Sequence, residues 1–347
     1  MERISCAILG ATGTVGQKFI VLLQNHPIFE IRELVASPRS AGKWYGDACS
    51  WKQDQPIPEE IATMTVRGTD SPLESKVLFS GLDSSVAGDV ETFYAEAGHI
   101  VISNSKNHRM DRDVPLIIPE INPDHFALMK TQDRPGAIVT NSNCSTMFLA
   151  MALAPLQKEW GIEWVQVTTM QAISGAGYPG VASLDILGNV VPYISDEEEK
   201  MESEAQKILG TLQGDHIVPA SFIVSAACNR VPVVDGHTET VTVKLRGNER
   251  PPLEDVARVM KQWRGMPQER ELPSAPVVPL RLLSDPARPQ PARDVQMDGG
   301  MSTLVGRLRY DPIGTVKMVI MGHNTIRGAA GAAILNAEAM HALGYLT

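Results

Sequence analysis

The chain has few cysteines, and none of them is spaced as a metal ligand. Its 347 residues include four, Cys6, Cys49, Cys144 and Cys228, with no CxxC pair and no metal-ligand spacing to a histidine. This pattern is typical of free thiols in a reducing cytosol, one of which can be used chemically. We therefore expect a cytoplasmic protein without a bound metal.

The chain also lacks a long apolar run and a net positive charge. The longest apolar stretch, residues 147–156, falls far short of the roughly 20 residues that span a bilayer. The formal net charge of −9 excludes bulk attraction to nucleic acid or to an anionic membrane. Residues 1–4 lead straight into a strand pattern, so we expect no cleavable signal. If the substrate is a small anion, cationic side chains within the binding pocket must attract it.

The length allows two domains that each bury a core. In the first 140 residues, short apolar runs alternate with helical spacing at 15–24 and 86–97. The runs predict buried parallel strands at 4–9, 31–36, 77–80, 100–103 and 137–140. Repeated strand–helix–strand units predict an α/β domain, a Rossmann-like doubly wound parallel sheet. Residues 51–58 are expected to form a surface loop.

The pattern changes after residue 143. A helix is predicted at 145–160, and alternating runs follow at 164–171, 222–227, 238–245, 302–310 and 315–321. They predict an α+β domain with a largely antiparallel sheet and helices on one face. Residues 281–300 are interpreted as an irregular loop, and the small-residue helix 325–343 as one that returns to the first domain. The predicted domains are 1–143 plus 325–347, and 144–324.

A glycine-rich turn follows the first strand. The sequence Gly10-Ala11-Thr12-Gly13-Thr14-Val15-Gly16 opens a helix with GxxGxxG spacing, a variant of GxGxxG. At a first strand–helix junction this pattern indicates dinucleotide binding, with the pyrophosphate at the helix N-terminus. We therefore expect cofactor contacts from Gly10, Thr12, Gly13, Thr14 and Val15. A tight turn without a ligand is the alternative.

The end of the second strand distinguishes the two nicotinamide cofactors. Sites for NAD usually carry Asp or Glu there, for the ribose 2′-hydroxyl. Here the residues are Ser37, Arg39, Ser40 and Lys43. Two hydroxyls and two cations suit a 2′-phosphate, so the sequence favours NADP(H) over NAD. The alternative is a solvated basic turn.

Cys144 lies between a predicted strand and a predicted helix. The dipole and free N–H groups of a helix N-terminus favour a thiolate. Cys6 and Cys228 instead fit buried structural positions in or beside strands. His237 precedes a strand in the segment that Arg230 opens. We expect His237 to be the proton partner, and Arg230 could hold a carboxylate with two hydrogen bonds.

These motifs resemble one known family. GATGTVGQ, SNSKNHR, DVPLIIPEIN, SNCST, QAISGAGYPG, EEEK, NRVPVVDGH and HNTIRGAAG occur in family order. Together they look like aspartate-semialdehyde dehydrogenase, of the branch shared by archaea, fungi and some bacteria. The resemblance covers essentially the whole chain.

The resemblance implies specific roles. Cys144 corresponds to the nucleophile, His237 to the acid–base and Arg230 to the residue that holds the substrate carboxylate. The resemblance assigns Arg109 and Asn143 to phosphate and Gln171 to substrate positioning. Glu197 and Lys200 correspond to groups for the substrate amine and phosphate. We also expect cofactor contacts at Ser174, Gly175 and Asn324, which lie within two of the motifs.

Helical spacing independently supports Glu197 and Lys200. In a helix at 196–209, Met201, Ala205, Ile208 and Leu209 form an apolar stripe. Glu197 lies one turn before Met201 and Lys200 three residues after Glu197, so both can face inward. The alternative for an acidic run of this kind is a solvated helix face.

The activity implied is NADPH-dependent reduction of L-aspartyl 4-phosphate to the 4-semialdehyde through a Cys144 thioester, for lysine, threonine and methionine biosynthesis. Family members are homodimers or homotetramers. Malonyl-CoA reductase, which uses the same thioester chemistry, is one alternative. A non-catalytic NADP-binding redox sensor is another, which Cys144, Arg230 and His237 together disfavour.

Overall fold

The computed structural model describes residues 3–247 and 250–346. The N-terminal Met1 and Glu2, and Thr347 of the predicted first domain, lie outside the described residues. The chain divides into two compact units. The first consists of Met1–Ile117, Asp124–Asn141 and Ala329–Thr347, and the second of Ile118–Pro123 and Ser142–Gly328. These boundaries differ by a few residues from the predicted ones, and the excursion at Ile118–Pro123 was not predicted.

The first unit contains the predicted doubly wound sheet. Its seven strands run in the order β3-β2-β1-β4-β5-β7-β6, and every pairing is parallel. The strands are β1 Ile4–Leu9, β2 Phe29–Val35, β3 Val66–Arg67, β4 Val77–Ser80, β5 Ile100–Ser103, β6 Leu116–Ile117 and β7 Ala137–Asn141. All residues of β4, β5 and β7 are buried, as in a sheet covered on both faces.

Helices connect these strands. They are α1 Thr14–Leu23, α2 Tyr45–Ala48, α3 Glu59–Ala62 and α4 Ser84–Glu96, with a 3₁₀ segment at Pro123–Thr131. The last helix of the chain, α11 Gly331–Ala342, packs against α1, β5 and β7. The predicted return of the C-terminal helix is therefore confirmed. Residues 51–58 form a loop, as expected.

The second unit contains a six-stranded sheet in the order β11-β8-β12-β15-β14-β13, and a two-stranded hairpin of β9 and β10. Its strands are β8 Ile162–Gln171, β9 Thr211–Gln213, β10 His216–Val218, β11 Ile223–Arg230, β12 His237–Leu245, β13 Leu280–Leu282, β14 Thr303–Tyr310 and β15 Val316–Gly322. Its helices are α5 Cys144–Glu159, α6 Ser183–Ile186, α7 Glu197–Ile208, α8 Leu253–Gln262, α9 Met266–Glu269 and α10 Pro291–Asp294.

Three details differ from the sequence expectations. The sheet is mixed, because β11 pairs with β8 and β13 with β14 in parallel, while the three inner pairings are antiparallel. The segment expected to be irregular, 281–300, contains most of β13, the helix α10 and a 3₁₀ turn at Met297–Gly300. The predicted helix 325–343 begins with a π-helical segment at Ile326–Ala330 before α11.

The excursion Ile118–Pro123 is anchored within the second unit. Arg327 Nη2 donates to Glu120 Oε2 over 2.7 Å, and both side chains are almost fully buried. Among the described residues, no helix has the length and apolar character that crossing a membrane requires.

Candidate active site

Helix α5 begins at Cys144 and is capped by the residue before it. Asn143 Oδ1 accepts hydrogen bonds from the N–H groups of Ser145 and Thr146, over 2.9 and 3.0 Å. Such a cap stabilises the first turn. The half-buried Cys144 thiol therefore lies at the first helical position, where the helix dipole favours a thiolate.

Two carboxylates of α7 fix Asn143 in place. Its backbone N–H donates to Glu204 Oε2 over 2.6 Å, and its side-chain amide donates to Glu197 Oε1 over 2.5 Å. Glu197 and Glu204 are 6% and 1% exposed. Because hydrogen bonds to carboxylates are strong, these contacts restrict the turn that carries the cysteine.

Glu197 joins two more of the predicted site residues to this cluster. Gln171 Nε2 donates to Glu197 Oε1 over 3.3 Å, and Lys200 Nζ lies 3.2 Å from Glu197 Oε2. The structure thus brings Asn143, Gln171, Glu197 and Lys200 together. The inward-facing interpretation of Glu197 agrees with its burial on α7.

The sheet brings Arg230 and His237 to the same edge. Gln171 ends β8, Arg230 ends β11 opposite it in parallel register, and β12 starts at His237. The backbone of Ala172 contacts both: Arg230 Nη1 donates to its carbonyl over 2.8 Å, and its N–H donates to His237 Nδ1 over 3.0 Å. Arg230 is 6% exposed and His237 is fully buried.

Burial and neighbouring charge set the protonation of His237. Burial lowers its pKa well below the usual range, and Arg230 and His323 lower it further. The imidazole is therefore neutral at pH 7. Because Nδ1 accepts from Ala172, the ring proton belongs on Nε2, which is available as a donor.

The surroundings of Arg230 shift its pKa in both directions. Burial lowers its pKa, while the charges of Cys144, Glu197 and Cys228 raise it. Arginine stays protonated in proteins, so the guanidinium is a buried cation near the candidate nucleophile. Such a group can hold an anionic substrate.

Gly175 lies so close to Arg230 and His237 that a side chain at this position would not fit without a shift of its neighbours. A Cβ there would lie 2.9 Å from Arg230 Nη1 and 2.9 Å from His237 Cε1. Two other predicted cofactor residues of this unit also meet: Asn324 Nδ2 donates to Ser174 Oγ over 2.7 Å. Asn324 Oδ1 accepts from the Gly236 N–H over 2.9 Å, beside His237.

The other cysteines differ from Cys144. Burial raises the pKa of Cys6, and it raises the pKa of Cys228 to about 12. Burial also raises the pKa of the half-buried Cys49.

Within residues 3–247 and 250–346, no group of His, Cys, Asp and Glu has a metal-binding arrangement.

In the first unit, the glycine turn joins β1 to α1. Gly10 and Ala11 donate their N–H groups to the Val35 carbonyl, each over 2.9 Å. A Cβ on Gly16 would lie 2.3 Å from the Gly10 carbonyl oxygen, so this turn excludes a side chain there. No side chain caps the N-terminus of α1, where Thr14 and Val15 stand, and its N–H groups can bind a phosphate.

The basic turn lies next to the glycine turn, because the C-terminal ends of β1 and β2 pair. Ser40 donates its N–H to the Ser37 carbonyl over 2.8 Å. Ser37, Arg39 and Lys43 are exposed and Ser40 half-buried. A phosphate at this edge would have access to both cations.

Arg109 also belongs to the first unit and is 7% exposed. Its Nη2 donates to the Asn104 carbonyl over 2.7 Å. The Asn104 side chain accepts from Asn141 Nδ2 over 2.8 Å, which ties this loop to the end of β7.

Sequence reasoning did not identify two buried carboxylates of this region, Glu204 and Glu239. Glu204 is seven residues after Glu197, on the same helical stripe as Met201 and Ile208. Glu239 is two residues after His237 on the buried face of β12. Helical and strand spacing could have identified each as inward-facing.

Comparison with known proteins gives a consistent family. A profile described as "Semialdehyde dehydrogenase, NAD binding domain" matches residues 5–129. Another, "Semialdehyde dehydrogenase, dimerisation domain", matches residues 153–327. Aspartate-semialdehyde dehydrogenase from Methanothermobacter thermautotrophicus is 49% identical over 343 residues, covering 96% of this chain and 98% of the relative. The Candida albicans protein of that name is 47% identical, with 99% of each chain covered.

Solved structures agree. The chain superposes on aspartate semialdehyde dehydrogenase with NADP from Candida albicans with a TM-score of 0.91, at 44% identity and 99% coverage of both chains. Aspartate semialdehyde dehydrogenase II complexed with ASA, from Vibrio cholerae, gives a TM-score of 0.77 at 27% identity, with 99% of both chains covered.

Proposed function

Since this chain belongs to the aspartate-semialdehyde dehydrogenase family, whose members are NADP-dependent oxidoreductases, we propose that it reduces L-aspartyl 4-phosphate to L-aspartate 4-semialdehyde. The observation that carries this proposal is the cluster around the nucleophile turn. Asn143 caps the helix of Cys144 and contacts Glu197, which also contacts Gln171 and Lys200.

In the first step, the Cys144 thiolate attacks the acyl carbon of the substrate. A carbon–sulfur bond forms, the bond to the phosphate oxygen breaks, and inorganic phosphate leaves. Lys200, Asn143 and Arg109 are the groups proposed to stabilise the phosphate. The position of Cys144 at the start of α5 supports its role as the thiolate.

The substrate's amino-acid end needs groups of both charges. We assign its α-carboxylate to the two-pronged guanidinium of Arg230 and its ammonium to Glu197, with Gln171 positioning the substrate. The buried guanidinium of Arg230 and the buried carboxylate of Glu197, which also pairs with Lys200, support this assignment, because each carries a charge opposite to that of the substrate group assigned to it.

His237 is the proposed acid–base. Hydride addition to the thioester carbon generates an oxyanion, which accepts a hydrogen bond from Nε2–H of His237. The oxyanion then re-forms the carbonyl as the carbon–sulfur bond breaks, Cys144 leaves as a thiolate and the aldehyde is released. The neutral imidazole, with its proton on Nε2, supports a role as the hydrogen-bond donor to this oxyanion.

NADP(H) is the cofactor of the proposed reaction. The glycine turn, the uncapped N-terminus of α1 and the cations at Arg39 and Lys43 fit its pyrophosphate and 2′-phosphate. When bound, NADPH supplies the hydride. Ser37 and Ser40 complete the proposed 2′-phosphate site in the first unit, and Ser174, Gly175 and Asn324 are proposed contacts from the second.

The product aldehyde would serve lysine, threonine and methionine biosynthesis. The second unit also supports self-association into a homodimer or homotetramer, because it matches a dimerisation domain.

The direct test follows NADPH formation from purified protein with aspartate semialdehyde, phosphate and NADP. We expect phosphate-dependent turnover, and no reduction of malonyl-CoA by NADPH. Glu197→Gln and Lys200→Ala should each reduce activity by at least about tenfold, since each removes a charged contact to the substrate. Arg230→Lys should also be damaging, because a point charge cannot replace a bidentate contact.

Faster reduction of malonyl-CoA than oxidation of the semialdehyde would reject this substrate assignment. The alternative of a non-catalytic redox sensor predicts NADP binding without turnover of either compound.

A further inference from the structure

Glu239 is a buried carboxyl group beside the reaction centre to which the mechanism above gives no role. It follows His237 by two residues on β12, so the two side chains leave the same face of the strand. That face is covered by α5, the helix of Cys144. Glu239 is fully buried.

The surroundings of Glu239 contain a hydroxyl but no cation that pairs with it. The Ser145 hydroxyl, one residue after the nucleophile, lies beside the carboxyl group. Both carboxyl oxygens and Ser145 Oγ are buried without a hydrogen bond of ordinary geometry to a described residue. No Arg, Lys or His of residues 3–247 and 250–346 forms an ion pair with Glu239.

The neighbouring charge that acts on Glu239 is negative. Across the sheet, Glu239 faces Thr169 of β8 and Ile320 of β15. From α7, the charged group that faces it is the carboxylate of Glu197. On its own strand, the neighbour on the same face is His237, whose imidazole is neutral.

An ionised carboxylate is unfavourable in such a place. Burial raises the pKa of Glu239 well above its usual range, the Ser145 hydroxyl lowers it and the charge of Glu197 raises it. Transfer of an unpaired carboxylate out of water is so costly that the group binds a proton instead. A neutral acid can donate one hydrogen bond as well as accept others, which a carboxylate cannot.

We propose that Glu239 is a positioning residue that works as a neutral carboxylic acid, orienting Ser145 and so the first turn of α5 that carries Cys144. This role rests on the proposed function, in which Cys144 is the nucleophile. A carboxylate at the same place would oppose formation of the thiolate and would repel an anionic substrate. The neutral acid orients the turn without this electrostatic cost.

The test compares Glu239→Gln, which stays neutral and polar, with Glu239→Ala, which removes the group. Glu163→Gln, on the exposed face of β8, is the matched control. Three quantities are measured: kcat/KM, the pH dependence of Cys144 alkylation read by mass spectrometry, and the carbonyl stretch of a protonated carboxylic acid in infrared difference spectra.

We expect Glu239→Gln to keep kcat/KM within about threefold and the apparent pKa of Cys144 within about 0.3 unit, because no charge is removed. Glu239→Ala should lower kcat/KM at least about tenfold, through misplacement of the nucleophile. In a Ser145→Ala background the same change should cost much less, because the two side chains act together. At pH 7, the protonated-carboxyl band should be lost in Glu239→Gln and kept in Glu163→Gln.

Each contrary result overturns the proposal. If Glu239→Gln is as inactive as Glu239→Ala, or lowers the Cys144 pKa by about one unit, the group acts as a carboxylate. An Ala variant as active as the wild type would show that Glu239 has no role. If Glu239→Ala does not fold, the Gln variant and the infrared band still decide. The alkylation and infrared measurements need no substrate, so they test the role of Glu239 independently of the reaction. Absence of semialdehyde turnover would reject the proposed function, and the two measurements would still decide whether Glu239 is a neutral acid.

Discussion

Cys144 differs from the other cysteines mainly in its backbone position. Cys6 and Cys228 are inside strands, where burial raises the pKa of each thiol. Cys144 instead begins α5 and is half-buried. The reactive form of cysteine is the thiolate, so reactivity should follow this difference rather than exposure alone.

We expect Cys144→Ala to reduce turnover by more than about a thousandfold, because no thioester can form. NADPH binding, measured by fluorescence titration, should be retained. In the wild-type protein, mass spectrometry should find rapid alkylation at Cys144 and slow alkylation at Cys6 and Cys228. A variant that retained a tenth of the wild-type rate would contradict the covalent mechanism.

Arg39 is the residue on which the choice between NADPH and NADH should depend. Replacement by alanine removes a charge-assisted hydrogen bond of about 1.5–3 kcal/mol. We expect affinity for NADPH to fall by roughly 10–100-fold, with little change for NADH. Arg32→Ala, an exposed position on β2, is the control and should change neither. Equal losses for both cofactors would exclude a role in reading the 2′-phosphate.

At the scale of elements, α7 serves the site through one face. Glu197, Met201, Glu204 and Ile208 are buried along it, at spacings of four, three and four. The apolar members hold the helix against the unit, and the two carboxylates reach the turn before α5. The acidic run EEEK is therefore not wholly a solvated face.

Glu204→Ala should lower kcat/KM at least about tenfold by freeing the Asn143 backbone, since a hydrogen bond to a carboxylate contributes about 1.5–3 kcal/mol. Glu204→Gln, which keeps an acceptor oxygen, should lose less. Steady-state kinetics of both variants, beside the exposed Glu199→Ala on the same helix, measure the difference. Equal damage from Glu204→Ala and Glu199→Ala would show that the contact is unimportant.

Hydrophobic patterning predicts most elements, and it fails where an element is too short to show a period. β1, β4 and β5 have the predicted bounds, because buried parallel strands are continuous apolar runs. The two-residue strands β3 and β6 carry no such signal. The sequence also does not predict that β11 pairs in parallel with β8, and β13 with β14. Alternation shows that one face of a strand is buried, but it does not show the direction of the neighbouring strand.

The candidate site shows the same limit. A cysteine at a strand–helix junction is a local feature, so the sequence indicates it directly. Glu204 and Glu239 are acidic residues whose burial depends on packing between distant segments, and charged residues are usually exposed. Their contacts, such as Asn143 with Glu204 across 61 residues, need the tertiary structure.

At the scale of the whole molecule, the second unit exposes apolar side chains in one segment. Those between β8 and α7 include Tyr178, Leu184, Leu187, Val190 and Tyr193. Leu184 is 93% exposed and Leu187 70%. Several exposed apolar side chains within one segment are typical of an interface. A second copy of the chain is the partner expected here, because this unit matches a dimerisation domain.

We predict that the wild-type protein is a homodimer or homotetramer in solution and that the double variant Leu184→Glu, Leu187→Glu shifts it towards smaller species. Two buried charges per copy would face an apolar partner surface, which is costly without counter-charges. Light scattering after size-exclusion chromatography measures the mass. Val277→Glu is the control, because Val277 is 84% exposed in a different segment of this unit. An unchanged oligomer in the double variant, or a monomeric wild type, would contradict the assignment of this segment as the interface.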